Sequence, residues 1–337
     1  MKPTLLISLV SGFIAAFSTT LHAQSGEVVY YGASGDHIPA TIKAFNELYP
    51  NIRFKVVTGD AGQLRTRMAA EKDSPQGDVF YGDAEHFLNR PELFKPYRSK
   101  HLAAFPDWGL VKHGGDVYAY GYAISFQVFA VNSQKMALAD APKSWKDLTK
   151  SEYQGKIMVG NPALSGGGYY SFFQFLQMYG WDAVDKYVEN VRFQASTGAV
   201  PANVGRGEVA VGLTEETMAW ELAEKGFPVA VIYPEEGVVP TLNAIGLIRN
   251  GPNPENGVLL AEFMNSVEGN NINVATRNRR SPRADADRPK GLAPIAELKV
   301  NTSPKISVPD SISKKSEYLK GFDEVLQRKG KKTEGAS

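Results

Sequence analysis

No cysteine occurs in the 337 residues. That excludes disulfides, a thiol nucleophile and a lipid anchor on a lipobox cysteine, so stability has to come from core size. Charge of one sign is lacking as well: 37 Lys and Arg stand against 36 Asp and Glu, a formal net charge of +1. A balance this close to zero argues against a nucleic-acid binder, although local basic patches stay open. Beyond the first residues no apolar run is long enough to span a membrane. Histidine is scarce too. His37, His86, His101 and His113 show no HExxH or other metal-ligand spacing, and no nucleophile elbow, P-loop or dinucleotide fingerprint is present. The expectation is a chain with no catalytic residue, no metal and no cofactor.

What is there suits a globular protein: 43% hydrophobic and 22% charged residues, and a length that fits one large domain or two lobes. Met1-Lys2 followed by the apolar run from Leu5 to Phe17 and the polar lead-in to Ala23 has the form of a secretory signal peptide over 1–23; the run is short for a membrane span. A soluble, periplasmic mature protein is expected, ending in a polar tail over 329–337.

Strand and helix patterns alternate from residue 27 onward. Glu27 to Gly32, Ile52 to Val57 and Asp78 to Tyr81 have strand character, and Ile38 to Leu48 and Gln63 to Glu71 have helical character. Such alternation predicts βαβ units, an α/β fold and a largely parallel sheet, with ligands at the carboxyl ends of the strands. Tyr118 to Asn132 is expected to carry the chain into a second lobe, and Thr241 to Ile248 to bring it back. The expected boundaries are 24–124 plus 241–328 for lobe 1 and 125–240 for lobe 2. The stretch Lys156 to Tyr170 is the most informative: a short strand, an Asn-Pro turn, Ser165 as a helix cap, then Gly166 and Gly167. A strand, a glycine-rich turn and a helix N-terminus can hold an anion, because the first helical N–H groups lack internal partners and the dipole is positive there. A plain capped helix is the bland alternative.

Four segments resemble a known family. They are Pro142-Lys-Ser-Trp-Lys-Asp-Leu148; Tyr153-Gln-Gly-Lys-Ile157 with Asn161-Pro162 and Ser165-Gly166; Thr197-Gly-Ala199 with Arg206-Gly-Glu-Val-Ala-Val-Gly212; and Tyr233-Pro-Glu-Glu-Gly237. Their order and spacing resemble the periplasmic substrate-binding proteins of ABC importers, of the ferric-iron, phosphonate and sugar-phosphate type, over roughly residues 26 to 300. The resemblance implies a type II-like fold with two α/β lobes, a hinge, closure over a ligand in the interlobe cleft, and an inner-membrane permease as partner, with the binding protein a monomer. Where ferric members carry a tyrosine pair, this chain has Leu213-Thr-Glu-Glu216. A small phosphorylated organic anion, a sugar phosphate or an aminoalkylphosphonate, is therefore expected ahead of ferric iron, and an exported hydrolase is the lower alternative.

The expected ligand-binding residues are Ser34, Gly35, His37, Gly59, Asp83, Ser165, Gly166, Gly167, Thr197, Gly198, Glu215, Glu216 and Glu236. Serine, threonine and glycine supply donors to an anion, and the acids accept from hydroxyls or an amine. Asp36, His37, Thr58 to Asp60 and Asp83 equally suit helix caps and turns. Arg277, Arg279, Arg280 and Arg283 form a basic cluster that suits a solvated loop first, and a second anion grip or a transporter-facing surface second. Tyr169, Tyr170, Trp181 and Tyr187 are expected to pack rather than bind.

Overall fold

The computed structural model describes residues 24–32, 35–59, 61–301, 303, 306 and 308–331. The expected signal peptide, Ser34, Asp60 and most of the polar tail lie outside them.

The strands are β1 (Gly26–Gly32), β2 (Ile52–Thr58), β3 (Val79–Asp83), β4 (Phe94–Lys95), β5 (Leu110–His113), β6 (Asp116–Ser125), β7 (Gln127–Asn132), β8 (Ile157–Gly160), β9 (Val191–Gln194), β10 (Val211–Glu215), β11 (Val229–Ile232) and β12 (Thr241–Ile248). The helices are α1 (His37–Leu48), α2 (Ala61–Ala70), α3 (Ala84–Asn89), α4 (Gly166–Asn190), α5 (Val200–Gly205), α6 (Glu216–Glu224), α7 (Pro254–Asn265), α8 (Val267–Arg277), α9 (Val308–Ser313) and α10 (Lys315–Arg328).

Two sheets result, in the orders β2-β1-β3-β12-β6-β5, with β4 also on β12, and β11-β7-β10-β8-β9. Apolar runs on β1 and β3 bury Val28, Tyr31, Val79 and Phe80 between helices on both faces, as a parallel arrangement demands. The parallel part stops at β3, however. The return strand β12 enters from the second lobe and runs antiparallel to both β3 and β6, so the first sheet is mixed rather than largely parallel.

The chain crosses between sheets with little slack. Phe126 alone separates β6 from β7 and is fully buried, in an apolar cluster that includes Val29 and Ile124 on one side and Val128 and Ala130 on the other. The second crossing runs from Val238 to β12, and Val300 bridges back to Val238 beside it.

In the second lobe, α4 covers the sheet through Phe172, Phe175 and Tyr187. Gly180, at φ 75, breaks it into two helical halves. Ser144 and Asp147 form a capping box on the short helix Trp145–Thr149, whose Trp145 packs edge-on to Phe129.

The closing helix departs from the expected boundary. Phe322 of α10 lies 4.9 Å from the Phe172 ring and edge-on to Phe193, and Arg328 pairs with Asp185 at 2.6 Å. The last helix therefore packs on the second sheet, not the first.

Candidate functional site

The cleft is walled by basic residues of the first lobe and by α6 of the second. Helix α8 stops because Asn278 adopts the left-handed conformation (φ 49), donating its N–H to the Val274 carbonyl. Arg277, the last helical residue, sits where the dipole favours a cation. Its guanidinium donates to the Tyr81 hydroxyl at 2.9 Å and lies over that ring. The chain then runs extended, so successive side chains point in opposite directions. Arg279 reaches across to Glu215 at 3.1 Å and to the Ser125 hydroxyl at 3.0 Å. Arg280 turns inward and clasps Glu216 with two bonds of 2.7 and 3.0 Å. A cavity of about 890 Å³ lies between Arg277, Arg279, Gly35 and the first turns of α6, where Thr217 and Trp220 form the facing wall.

Acids line the flank at the end of β3. Asn243 donates to Asp83, and Tyr170 of α4 donates to Glu85 at 2.8 Å, a further bond between lobes. Burial, reinforced by the Glu85 and Glu215 charges, pushes the Asp83 carboxyl up to about 6. The side chain keeps 41% of its surface, so solvent screens part of that effect. Burial and Glu85 likewise raise Tyr170, which stays a neutral donor.

The α4 N-terminus has the local chemistry the sequence predicts. Ser165 caps it, accepting from Gly168 N at 3.3 Å, and its hydroxyl meets the Thr197 hydroxyl at 2.7 Å. Gly168 is required: a Cβ there would stand 2.4 Å from the Gly160 carbonyl. Gly166 faces open space, Gly167 leans on Thr197, and the Gly198 amide is spent on Ser196 Oγ at 3.1 Å. None of Ser165, Gly166, Gly167, Thr197 and Gly198 is on the wall of the large cavity. Gly35 is on it. Gly59, at the end of β2, backs onto Leu64.

Two expected ligand residues are buried instead, and a third is spent on a helix cap. His37 is 1% exposed, packed against Tyr81 and Tyr122. Burial, with Arg277 and Arg279 nearby, pushes its pKa down to about 4, so it is a neutral ring at physiological pH. Glu216 is held by Arg280 and by the Tyr233 hydroxyl at 2.8 Å. Glu236 sits at the other end of the second lobe, where it accepts from Ser144 Oγ at 2.6 Å, from Trp145 N at 3.1 Å and from Tyr179. Burial opposes its ionisation, yet those donors hold the carboxyl below the usual range. Its work is to cap a helix.

The basic cluster is also not a solvated loop. Arg280 and Arg283 are 2% and 7% exposed, while Arg277 and Arg279 face the cleft. Trp220 and Asn243 carry no sequence signal that marks them. Tyr169 packs in the core, stacked on Phe173, as expected, whereas Tyr170 bridges the lobes. Among the described residues no three His, Asp or Glu side chains group to hold a metal ion, and no helix is long and apolar enough to cross a membrane.

Comparison with known proteins gives the same architecture. The chain is 28% identical over 231 residues to a putative 2-aminoethylphosphonate-binding periplasmic protein of Salmonella typhi, covering 64% of this chain and 66% of that one. It superposes on the periplasmic binding protein AfuA of Actinobacillus pleuropneumoniae, solved with fructose-6-phosphate bound, with a TM-score of 0.72 at 23% identity over 90% of this chain and 99% of that one. Iron-bound HitA of Pseudomonas aeruginosa superposes with a TM-score of 0.73 at 21% identity, over 89% and 99%. These are two-lobed periplasmic binding proteins, and that is the fold seen here. The family profile of the bacterial extracellular solute-binding proteins matches residues 40–299, and the chain belongs to that family.

Proposed function

We propose that this chain is the periplasmic solute-binding component of an ABC importer and that it captures a small phosphorylated organic anion between its lobes. The observation that carries this is the pair Arg277 and Arg279, two guanidiniums set on the cavity wall next to Gly35. Arg277 is oriented by Tyr81, and Arg279 is already committed to a carboxylate, that of Glu215. Planar guanidinium forks match phosphate and carboxylate oxygens alike. A ligand phosphate competes with Glu215 for Arg279, so binding exchanges one interlobe ion pair for a ligand held by both lobes. Closure is then favoured by the contacts that the ligand makes in the closed form. A relative named as a putative 2-aminoethylphosphonate-binding protein, and a structural neighbour solved with a sugar phosphate bound, support this reading.

A thermal-shift panel tests it, with hexose phosphates, 2-aminoethylphosphonate, inorganic phosphate and ferric citrate. A ligand at one hundred times its Kd adds about 2.7 kcal/mol. For roughly 300 residues at ~2.1 cal/mol/K each, that raises the melting point by about 4 °C. Arg279→Gln is expected to abolish the shift. A shift with ferric citrate alone would refute the anion assignment.

A further inference from the structure

We propose that Trp220 is the residue that selects the ligand's shape, and that the cleft is built for a phosphorylated sugar ring rather than a short-chain phosphonate. This rests on the anion-cleft function above and deepens it. Trp220 is on α6, in the second lobe, and lines the same cavity as Arg277 and Arg279. The indole is seated with care. Asn278, the residue that ends α8, exchanges two bonds with Lys290, one from its side-chain amide to the Lys290 carbonyl at 3.1 Å and one accepted from the Lys290 amide at 2.7 Å. Asp287 N is tied to the Asn271 side chain at 2.8 Å. That strap delivers Gly291 against the indole. Gly291 has φ +70, and a Cβ on it would lie 1.8 Å from Trp220 Nε1. Only glycine fits there on both counts. The first lobe thus props an aromatic ring belonging to the second.

Size and polarity point the same way. The lobes already touch through Arg279 and Glu215, Tyr170 and Glu85, and Gly291 and Trp220, yet about 890 Å³ stays open. At no more than ~30 Å³ per heavy atom, the share of a liquid water, a two-carbon aminophosphonate fills roughly 210 Å³ and a hexose phosphate roughly 480 Å³. Occupied pockets commonly run from about 300 to 1,000 Å³. A sugar presents an apolar C–H face to an indole and hydroxyls at its rim. Asp36 and Glu221, also on the wall, are acceptors for such hydroxyls, with the arginines left for the phosphate.

Isothermal titration of the full mature chain tests this, using fructose 6-phosphate, glucose 6-phosphate, 2-aminoethylphosphonate and inorganic phosphate. Wild type is expected to bind one of the hexose phosphates at least tenfold more tightly than 2-aminoethylphosphonate. Trp220→Ala is expected to lower that affinity tenfold or more and to leave inorganic phosphate within twofold. Trp220→Phe keeps a ring and is expected to recover most of the loss. Gly291→Ala, which keeps the indole but displaces it, is expected to weaken sugar phosphate binding and change the Trp220 emission. Matching wild-type and variant melting temperatures establish that the fold is intact, and Trp220→Leu, which keeps apolar bulk without a ring and is expected to lose affinity as Ala does, serves if Ala fails to fold. Equal affinity for 2-aminoethylphosphonate, with no selective effect at Trp220, overturns the sugar assignment while the anion cleft stands. No binding by any phosphorylated compound overturns both.

Discussion

Glu216→Gln is predicted to be among the most damaging conservative changes in this chain. The side chains of Glu216 and Arg280 are 1% and 2% exposed and meet through two bonds, with Tyr233 donating a third to the carboxylate. Gln keeps the volume but replaces one acceptor oxygen by an amide that turns N–H toward a guanidinium. Arg280 stays charged and buried, over the Phe126 ring. Breaking one side of a buried pair costs about 3–5 kcal/mol. Spread over roughly 300 residues at ~2.1 cal/mol/K each, this lowers the melting temperature by about 5–8 °C. Circular dichroism melts at pH 7, with urea unfolding as a check on the slope, measure it. The same physics predicts that the double change Glu216→Leu with Arg280→Met melts above either single variant, because no charge is then left buried. A Glu216→Gln protein melting within about 2 °C of wild type, under half the smallest expected drop, would mean that water reaches Arg280 and would refute the argument.

Three other outcomes follow from groups placed above. His37 titrates near 4 in the fold and near ~6.5 unfolded, so its stabilising contribution is complete above about pH 6.5 and is lost as pH falls toward 4, about 3 kcal/mol in all. Urea melts across that range, compared with His37→Phe, show whether the slope belongs to this ring. Asp83 has the opposite sign. Its raised carboxyl holds a proton more tightly folded than unfolded, so stability rises as pH falls through about 6, and Asp83→Asn removes that gain; a carboxyl NMR titration gives the midpoint directly. Glu236→Ala is expected to cost about 2 kcal/mol, the worth of its charge-assisted bonds, and to leave ligand affinity unchanged in calorimetry.

Much of the scaffold was legible because burial imposes period. The apolar runs of β1 and β3, the helical pattern of α1 and the Ser165 cap of α4 are visible in the residues. Helix α8 was not, because its Asn-Asn-Ile-Asn stretch carries no apolar stripe. Its asparagines are buried as hydrogen-bonding groups, such as Asn273, which donates to the Tyr122 carbonyl at 3.1 Å. The site was harder. Glu215 and Glu216 are equivalent in sequence, and so are Arg279 and Arg280. Both pairs lie at the ends of extended segments, where neighbours point to opposite sides. The outer acid meets the outer base and the inner acid the inner base, each 64 residues apart. Nothing local distinguishes the members of either pair. Glu236 misled for a related reason: an acid after a strand can serve a ligand or a helix start, and its partner Ser144 lies 92 residues earlier.

The position of β12 and α10 sets a schedule for the growing chain. β12 lies between β3 and β6 in the first sheet, so until residue 248 exists both strands expose bare edges. The aromatic surface of α4 then waits for Phe322. Synthesis proceeds from the N-terminus, and pairings this distant in sequence form late. Neither lobe can close its core on a partial chain. A ribosome-bound intermediate of this protein is therefore a loose one, open to any holdase that binds unpaired strands, and the α4 surface is covered only once α10 has been made.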